Sequence, residues 1–427
     1  MSAGDVMQLQ QPLEKGGIRS VNFFNGRLLS SKDLTREQAA RRESDWRLGL
    51  ALGDGVAFGL EVATDAQHNT EDEPVLEVKA GLAINRKGQA LRLVAPASVA
   101  LKRRFDAVAE SCLFAECKPI AGGTYLRGAG VYVLTIAPAE LGEGRAPTNG
   151  LDPTNVRCNT DATVEAVQFR LVALNPLRYT GLDPANPQFR NRLAYRFFGI
   201  EARELSYADP WRDDPAAHGL LETLRHEGLS DHDVPLALVY WTSDGIQFID
   251  AWAVRRGITP RELARGRSQF LGGKYAANLG EAMRMQFQAH LVDVIAAAAV
   301  PTAVNVHDHF RHLPPVGILP LESSSRPRGV AIPTFLAGCT YREPVHIEGA
   351  RLLPLLMVAG DFPAFDLTSK EMIWLYLVRQ NRQAVADSSA PKPPYALFAS
   401  GQLPFFGDAR FDVNRWDFSN YGSPLIR

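Results

Sequence analysis

The chain has 427 residues, 46% of them hydrophobic and 22% charged, with a formal net charge of −1. That is ordinary globular composition with room for about two or three domains. The near-zero charge excludes an electrostatic case for nucleic acid or an anionic membrane as a partner.

The first residues, MSAGDVMQLQQPLEKGG, carry no basic stretch ahead of an apolar core, so no secretory leader is expected. The longest apolar run, DVIAAAAVPTAV, is too short to insert across a bilayer and is broken by Pro301. A soluble, cytoplasmic chain is expected. Four cysteines (Cys112, Cys117, Cys158 and Cys339) make neither a disulfide framework nor the paired C-x2-C of a zinc ribbon, and read as buried thiols.

In chain order, IRSVNFF reads as a first strand, closed by a turn at Asn25-Gly26. Ser31 or Asp33 then caps a helix running to about Leu48. Its apolar members are few: Leu34, Ala39, Ala40, Trp46 and Leu48. Arg36, Glu37, Gln38, Arg41, Arg42, Glu43 and Asp45 fill the remainder, with opposite charges at i,i+4 in Glu37–Arg41 and Arg41–Asp45. A helix without an apolar stripe is not held by its own core alone, so this one is expected to bridge domains, meet another chain, or not be a stable helix at all.

Beyond it the chain reads as β. GVAFGLEV and PVLEVKAGLAI are strands, and the latter forms a hairpin with QALRLV through NRKG, with Gly88 in the left-handed position. GVYVLTIAPAE and VEAVQFRLVAL follow, separated by the Gly/Pro/Asn-rich loop LGEGRAPTNGLDPTNVRCNT. This mainly-β region with its early polar helix ends near residue 177. Residues 178–233 are polar and broken by Pro, a helical insertion or connector.

Residues 234–300 form a hairpin (VPLALVYW, IQFIDAWAVRR), a helix start at Thr259, Pro260 and Glu262, and a long helix over 278–299. Leu279, Met283, Phe287, Leu291 and Ile295 make its apolar stripe. Residues 301–427 read as a β-rich domain with strands PVGILPL, GVAIPTFLAG and REPVHIEGARLLPLLMVAG. One helix is expected there, from a capping box at Thr368 and Glu371 ahead of MIWLYLVRQNRQAV. The fold class is therefore α+β, with sandwich-like β-rich N- and C-terminal domains joined by a helical middle.

Chemistry is sparse. NVHDHFRHLPP places His307, His309 and His312 in an H-x-H-x2-H pattern. On a strand, His307 and His309 would share a face, as metal-binding pairs do. GLALGDGVAFG lacks the spacing and the strand–helix order of a dinucleotide fingerprint, and FLGGKYA has Ser268 and Tyr275 where a P-loop needs glycine and Ser/Thr. No nucleophile elbow or H-E-x-x-H is present. No catalytic residue is assigned, and no enzyme activity and no cofactor are expected.

NFFNGRLLSSKDLTREQ…RR…GDGVAFGLEV…GLAINRKGQAL resembles a segment of baseplate- and fibre-associated subunits of bacterial contractile injection systems, the phage-tail-like particles. Asn22, Phe24, Asn25, Gly26, Leu28 and Leu29 match its first part, and Gly55, Val56, Gly59 and Leu60 its second. LALGDG departs from the H-G-W-like group of many relatives. The resemblance covers residues 19–95.

It implies a non-enzymatic structural subunit in or around the baseplate, oligomeric within the assembly. Its partners would be other baseplate or tail subunits, with no nucleic acid and no membrane insertion. Phe24, Arg36, Glu37, Arg41, Arg42, Asp45 and Trp46 would be interface residues. Two alternatives stand beside it: a metal-dependent enzyme at His307, His309 and His312, and a carbohydrate-binding module using Trp416, Phe418 and Tyr421 of the aromatic tail.

Overall fold

The computed structural model describes residues 17–70, 74–101, 130–148, 157–200, 219–225, 227–260, 274–323, 328–381, 395–405 and 421–422. The first element is α1 (Ser31–Leu52). Its N-cap is Ser30, one residue ahead of the expected cap, and Asp33 closes a reciprocal capping box with it. IRSVNFF is not a strand. Residues 17–24 run as irregular chain, and the Val21 N–H donates to Glu37 of α1 (3.0 Å) where a strand would need a ladder partner. The i,i+4 pairs expected of Arg41 do not form either, because Glu37 is occupied by Val21 and the pair made within the helix is Glu43–Arg47 (2.8 Å).

GVAFGLEV becomes β1 (Gly55–Gly59) and β2 (Val62–Thr64), bent where Gly59 and Leu60 take positive φ. PVLEVKAGLAI likewise divides into β3 (Val75–Val78) and β4 (Gly81–Ile84). The hairpin from β4 to β5 (Ala90–Leu93) has Gly88 at φ 80°, and β6 (Ala97–Ala100) follows. These build two antiparallel sheets, β1-β4-β5 and β2-β3-β6.

β7 (Gly130–Thr148) and β8 (Arg157–Ala173) pair from Tyr132–Ala173 out to Thr148–Arg157. Most of the stretch read as a Gly/Pro-rich loop is therefore a two-stranded ribbon. After α2 (Phe189–Phe198) and α3 (Leu220–Leu224), β9 (Val234–Thr242) and β10 (Gly245–Asp250) complete a sheet in the order β10-β9-β7-β8. Leu60, Leu76, Val78, Leu91, Leu134, Ile136, Leu236 and Val239 fill the core beneath it, where Tyr132 stacks on Trp241 at 4.2 Å.

Asp250 ends β10 and caps α4 (Ala251–Val254), while also accepting from Arg190 of α2 (3.0 Å). The long helix, α5 (Lys274–Ala297), buries the expected stripe. Leu279 and Met283 enter a core with Phe189, Leu193 and Phe197, whereas Phe287, Leu291 and Ile295 enter a separate core with the C-terminal strands. One helix thus serves two cores. Of the expected helix start at Thr259, Glu262 lies outside the described residues, and Thr259 pairs its backbone with Asp54.

The C-terminal region contains α6 (Val306–His309), β11 (His312–Leu313), β12 (Val316–Pro320), α7 (Ile332–Phe335), β13 (Thr340–Tyr341), β14 (Val345–Glu348), α8 (Leu352–Val358), β15 (Phe365–Asp366), β16 (Met372–Asn381), β17 (Tyr395–Ser400) and β18 (Tyr421–Gly422). Three readings change here. GVAIPTFLAG contains a helical turn with Pro333 as its second residue, and ARLLPLLMVAG is helical rather than extended.

MIWLYLVRQN is strand β16, not a helix. Ile373, Leu375 and Leu377 point into one core and Tyr376 into another, with Trp374 packed beside it, so both faces of the strand are apolar. A strand buried on both faces shows no alternation, which is what made it read as helical. The result is an α+β fold, β-rich at both ends with helix between them. No helix among the described residues is long and apolar enough to cross a membrane.

Candidate interaction surface

α1 sits on the fold at few points. Only Ala40 and Gly49 are buried along its 22 residues. At Gly49 the helix backbone meets the β4–β5 turn so closely that a Cβ would lie 2.1 Å from the Gly88 carbonyl oxygen. Gly53 is as tight against Thr259. Nearer its start, α1 is held by the preceding segment, through Glu37 to Val21 and Asp33 to Arg27 (2.6 Å). The bonds from Ser30, foremost, and from Arg27 hold the Asp33 carboxyl down at about 2, well below the usual carboxylate range. Arg42 reaches Glu140 on the ribbon at 3.6 Å.

The resemblance residues divide by role. In the second part, Gly55 packs against the backbone of Gly257, Gly59 against Ala80, and Leu60 and Val56 are buried. The first part faces outward: Phe24 is 63% exposed, Leu28 93% and Leu29 52%, around a turn whose Gly26 has φ 89°. Phe23, Leu34, Leu48, Leu50, Leu52 and Phe58 are exposed as well. Among the expected interface residues, Arg36, Arg41, Arg42 and Asp45 are exposed, Trp46 is 38% exposed and Glu37 is half-buried. Isolated surface leucines are ordinary; here several exposed apolar residues fall within one segment, residues 23–58.

The ribbon adds a second feature. β9 pairs with β7 only from Gly130 to Ile136, so beyond that the two strands have only each other among the described residues, with Leu141 and Val164 exposed. A bare two-stranded ribbon is marginal in water and presents open edges.

The three histidines do not converge. His307 and His309 lie on the turn of α6, not on a strand, and their rings go to different places. His307 Nε2 lies 3.4 Å from Cys339 Sγ. His309 is half-buried beside a cleft of about 410 Å³ that His290 also lines. His312 is buried, stacked on Tyr195 at 5.0 Å, its backbone bound to Asn191 through both N–H and carbonyl. Among the described residues, no group of three or more His, Cys, Asp and Glu is placed to hold a metal ion. Cys339 is a free, half-buried thiol; Cys112 and Cys117 lie outside the described residues. So do Trp416 and Phe418 of the aromatic tail, while Tyr421 is placed only as backbone in β18.

A charged cluster went unseen in the sequence because its members are far apart. Arg86 binds Asp54 (3.2 Å) and Glu222, and Arg225 lies 3.6 Å from Glu222, at the wall of a cavity of about 90 Å³. Behind it, the buried Asp233 accepts from Arg170 (2.7 Å), Thr135, and both the N–H and hydroxyl of Ser230. These bonds tie the β4–β5 turn to α3, and the segment ahead of β9 to β7 and β8.

No protein-family model matches the sequence, and no curated protein does. Among solved structures, one described as a crystal structure of TssK aligns over 91% of this chain and 93% of that chain, at 10% identity and a TM-score of 0.23. A shared fold does not follow from a score at that level.

Proposed function

We propose that this chain is a structural subunit of a contractile, phage-tail-like injection particle. It acts in or beside the baseplate and is assembled in the cytoplasm with other baseplate and tail subunits. The observation that carries this reading is the division of the resemblance segment. Gly55, Gly59 and Leu60 serve the chain's own packing, but Leu28 and Leu29 stay exposed and Phe24 stays exposed beside the Arg27 guanidinium. Exposed apolar residues set among Arg and Trp are the usual composition of a protein–protein contact. The ribbon and α1, joined by Arg42–Glu140, supply a second projecting surface of the same kind. The chemistry of such a subunit is the making and remaking of interfaces rather than of bonds.

The test is sedimentation of the native, untagged protein from a gentle lysate of its source cells, followed by negative stain. Recovery with megadalton particles that show sheathed tubes is the expected outcome. Recovery as a small species alone would overturn the proposal.

A further inference from the structure

The exposed side of α1 has a pattern that its low apolar content conceals. Leu34, Arg41 and Leu48 are seven residues apart, as are Gln38, Asp45 and Leu52, with the two series offset by four. That is the a/d spacing of a two-helix seam. At about 100° per residue, all six positions fall within an arc of about 80°. The contacts of α1 with its own chain lie outside that arc, through Asp33, Glu37 and Ala40 on one side and Gly49 and Gly53 on the other. Within it, Leu34 is 52% exposed, Leu48 65% and Leu52 60%.

Among the described residues, most charges of α1 outside the arc are paired within the chain, Lys32 and Arg36 excepted. Asp33, Glu37, Arg42, Glu43 and Arg47 all have partners in the chain. Arg41 and Asp45 have none among the described residues. They do not pair with each other despite their i,i+4 spacing.

We infer that α1 pairs antiparallel with α1 of a second copy of this chain, about a two-fold axis at the level of Glu43. In that register the leucines at the ends of the seam meet each other and the charges at its centre meet their opposites, with Gln38 the one polar residue set against a leucine. Leu34 faces Leu52 of the other copy, Gln38 faces Leu48, and Arg41 faces Asp45, each contact occurring twice as an isologous interface requires. A parallel pairing would instead place Arg41 on Arg41 and Asp45 on Asp45. The unpaired Arg41 and Asp45 are thus self-complementary only in one orientation, a charge device that selects partner and direction together. The inference rests on the reading of α1 as an intersubunit surface and names its partner.

The test is the molar mass of the purified full chain against concentration, by sedimentation velocity. It uses the wild type, Arg41→Asp, Asp45→Arg, the double exchange, and an equimolar mixture of the two single variants. Two exposed, unpartnered residues are being changed, so the thermal midpoints should match at concentrations low enough that every form is monomeric.

The expected result is concentration-dependent dimerisation of the wild type, weakened by about tenfold or more in each single variant, where like charges meet. Dimerisation should return in the double exchange. It should also return in the mixture, whose two copies carry only opposite charges across the seam. A monomeric wild type, single variants that dimerise normally, or a mixture that stays monomeric would each overturn the pairing. Failure of self-pairing is separable from failure of the assembly reading. A monomeric wild type whose Arg41→Asp variant no longer sediments with the particle would refute the second copy and keep α1 as a surface for another subunit. A variant that still sediments normally would refute both.

Discussion

Gly49→Ala gives a perturbation whose sign depends on whether α1 is seated as described. In a free or loosely attached helix, exchanging an interior Gly for Ala stabilises by about 1 kcal/mol through backbone entropy alone. In this structure the added Cβ lies 2.1 Å from the Gly88 oxygen, 2.7 Å from its carbonyl carbon and 2.9 Å from its Cα. All three are backbone atoms, in a turn whose Gly88 holds φ 80°. The shortfall from ordinary contact is more than 1 Å, too much for a side-chain adjustment, so helix and turn must separate. Overpacking of this kind costs about 1–3 kcal/mol. Because the obstruction is backbone on both sides, the cost belongs to the upper half of that range, about 2–3 kcal/mol, and after the propensity gain a net loss of about 1–2 kcal/mol at the α1–turn contact is expected.

Hydrogen exchange followed by mass spectrometry reads this locally. Peptides covering 44–53 and 85–90 should exchange about tenfold faster together, since each 1.4 kcal/mol is a factor of ten. Peptides from β16 and β17 should not change. Slower exchange along α1 would show that propensity wins and that Gly49 does not meet the turn.

Four further outcomes follow from the structure. Ser substitution of Phe24, Leu28 and Leu29 together should leave the thermal midpoint of the isolated chain within the range of ordinary surface changes, about 0.5 kcal/mol, because none is buried; loss of stability would mean the segment packs on its own chain. Asp233→Asn should cost about 3 kcal/mol in urea unfolding, since Asp233 is buried under Arg170, Thr135 and Ser230; a neutral result would remove that network as a tie between strands. Leu375→Ala, in the strand that read as a helix, should cost about 2–5 kcal/mol because its side chain is fully buried.

Acid should weaken the fold through His290. Burial first, then Arg190 and His309, depress its pKa well below the ordinary value, so the unfolded chain binds the proton more tightly. Stability therefore falls as pH drops below about 6.5, by up to about 1.4 kcal/mol per unit until the folded-state pKa is reached. His290→Leu should flatten that slope, leaving the smaller share of His309, which burial shifts the same way. A slope unchanged in the variant would place the effect elsewhere.

Where local pattern and tertiary context agree, the sequence was a reliable guide. The stripe of α5, the Gly88 turn and the polar character of α1 were all readable, because each depends on residues close together in the chain. The errors have a common cause in partners that lie far away. IRSVNFF has strand composition but no neighbouring strand to pair with among the described residues, and its backbone turns to Glu37. LGEGRAPT has loop composition, yet β8 offers it a ladder and carries it as ribbon.

At β16, a capping-box spacing and an apolar run free of alternation both pointed to helix. Cores on both sides of the strand supply the apolar demand that mimicked it, while Asp366, not Thr368, caps the short turn ahead of it. In the candidate surface, the charges of α1 were visible from the start, but their assignment was not. Only the structure separates Glu37 and Arg42, satisfied within the chain, from Arg41 and Asp45, which are not. The histidines looked like a site because they are close in sequence, and a single helical turn sends them apart.

The central claim is that the outward face of residues 23–52 is covered by neighbouring subunits in the assembled state. Oxidative footprinting of Phe24, Trp46, Leu28 and Leu48, comparing the free chain with the sedimented particle, tests it most directly. The expected result is strong labelling in the free chain and protection of all four in the particle, with Leu353 and Met357, exposed on α8, as references for a surface outside the claim. Equal labelling of Phe24, Trp46, Leu28 and Leu48 in both states would contradict it.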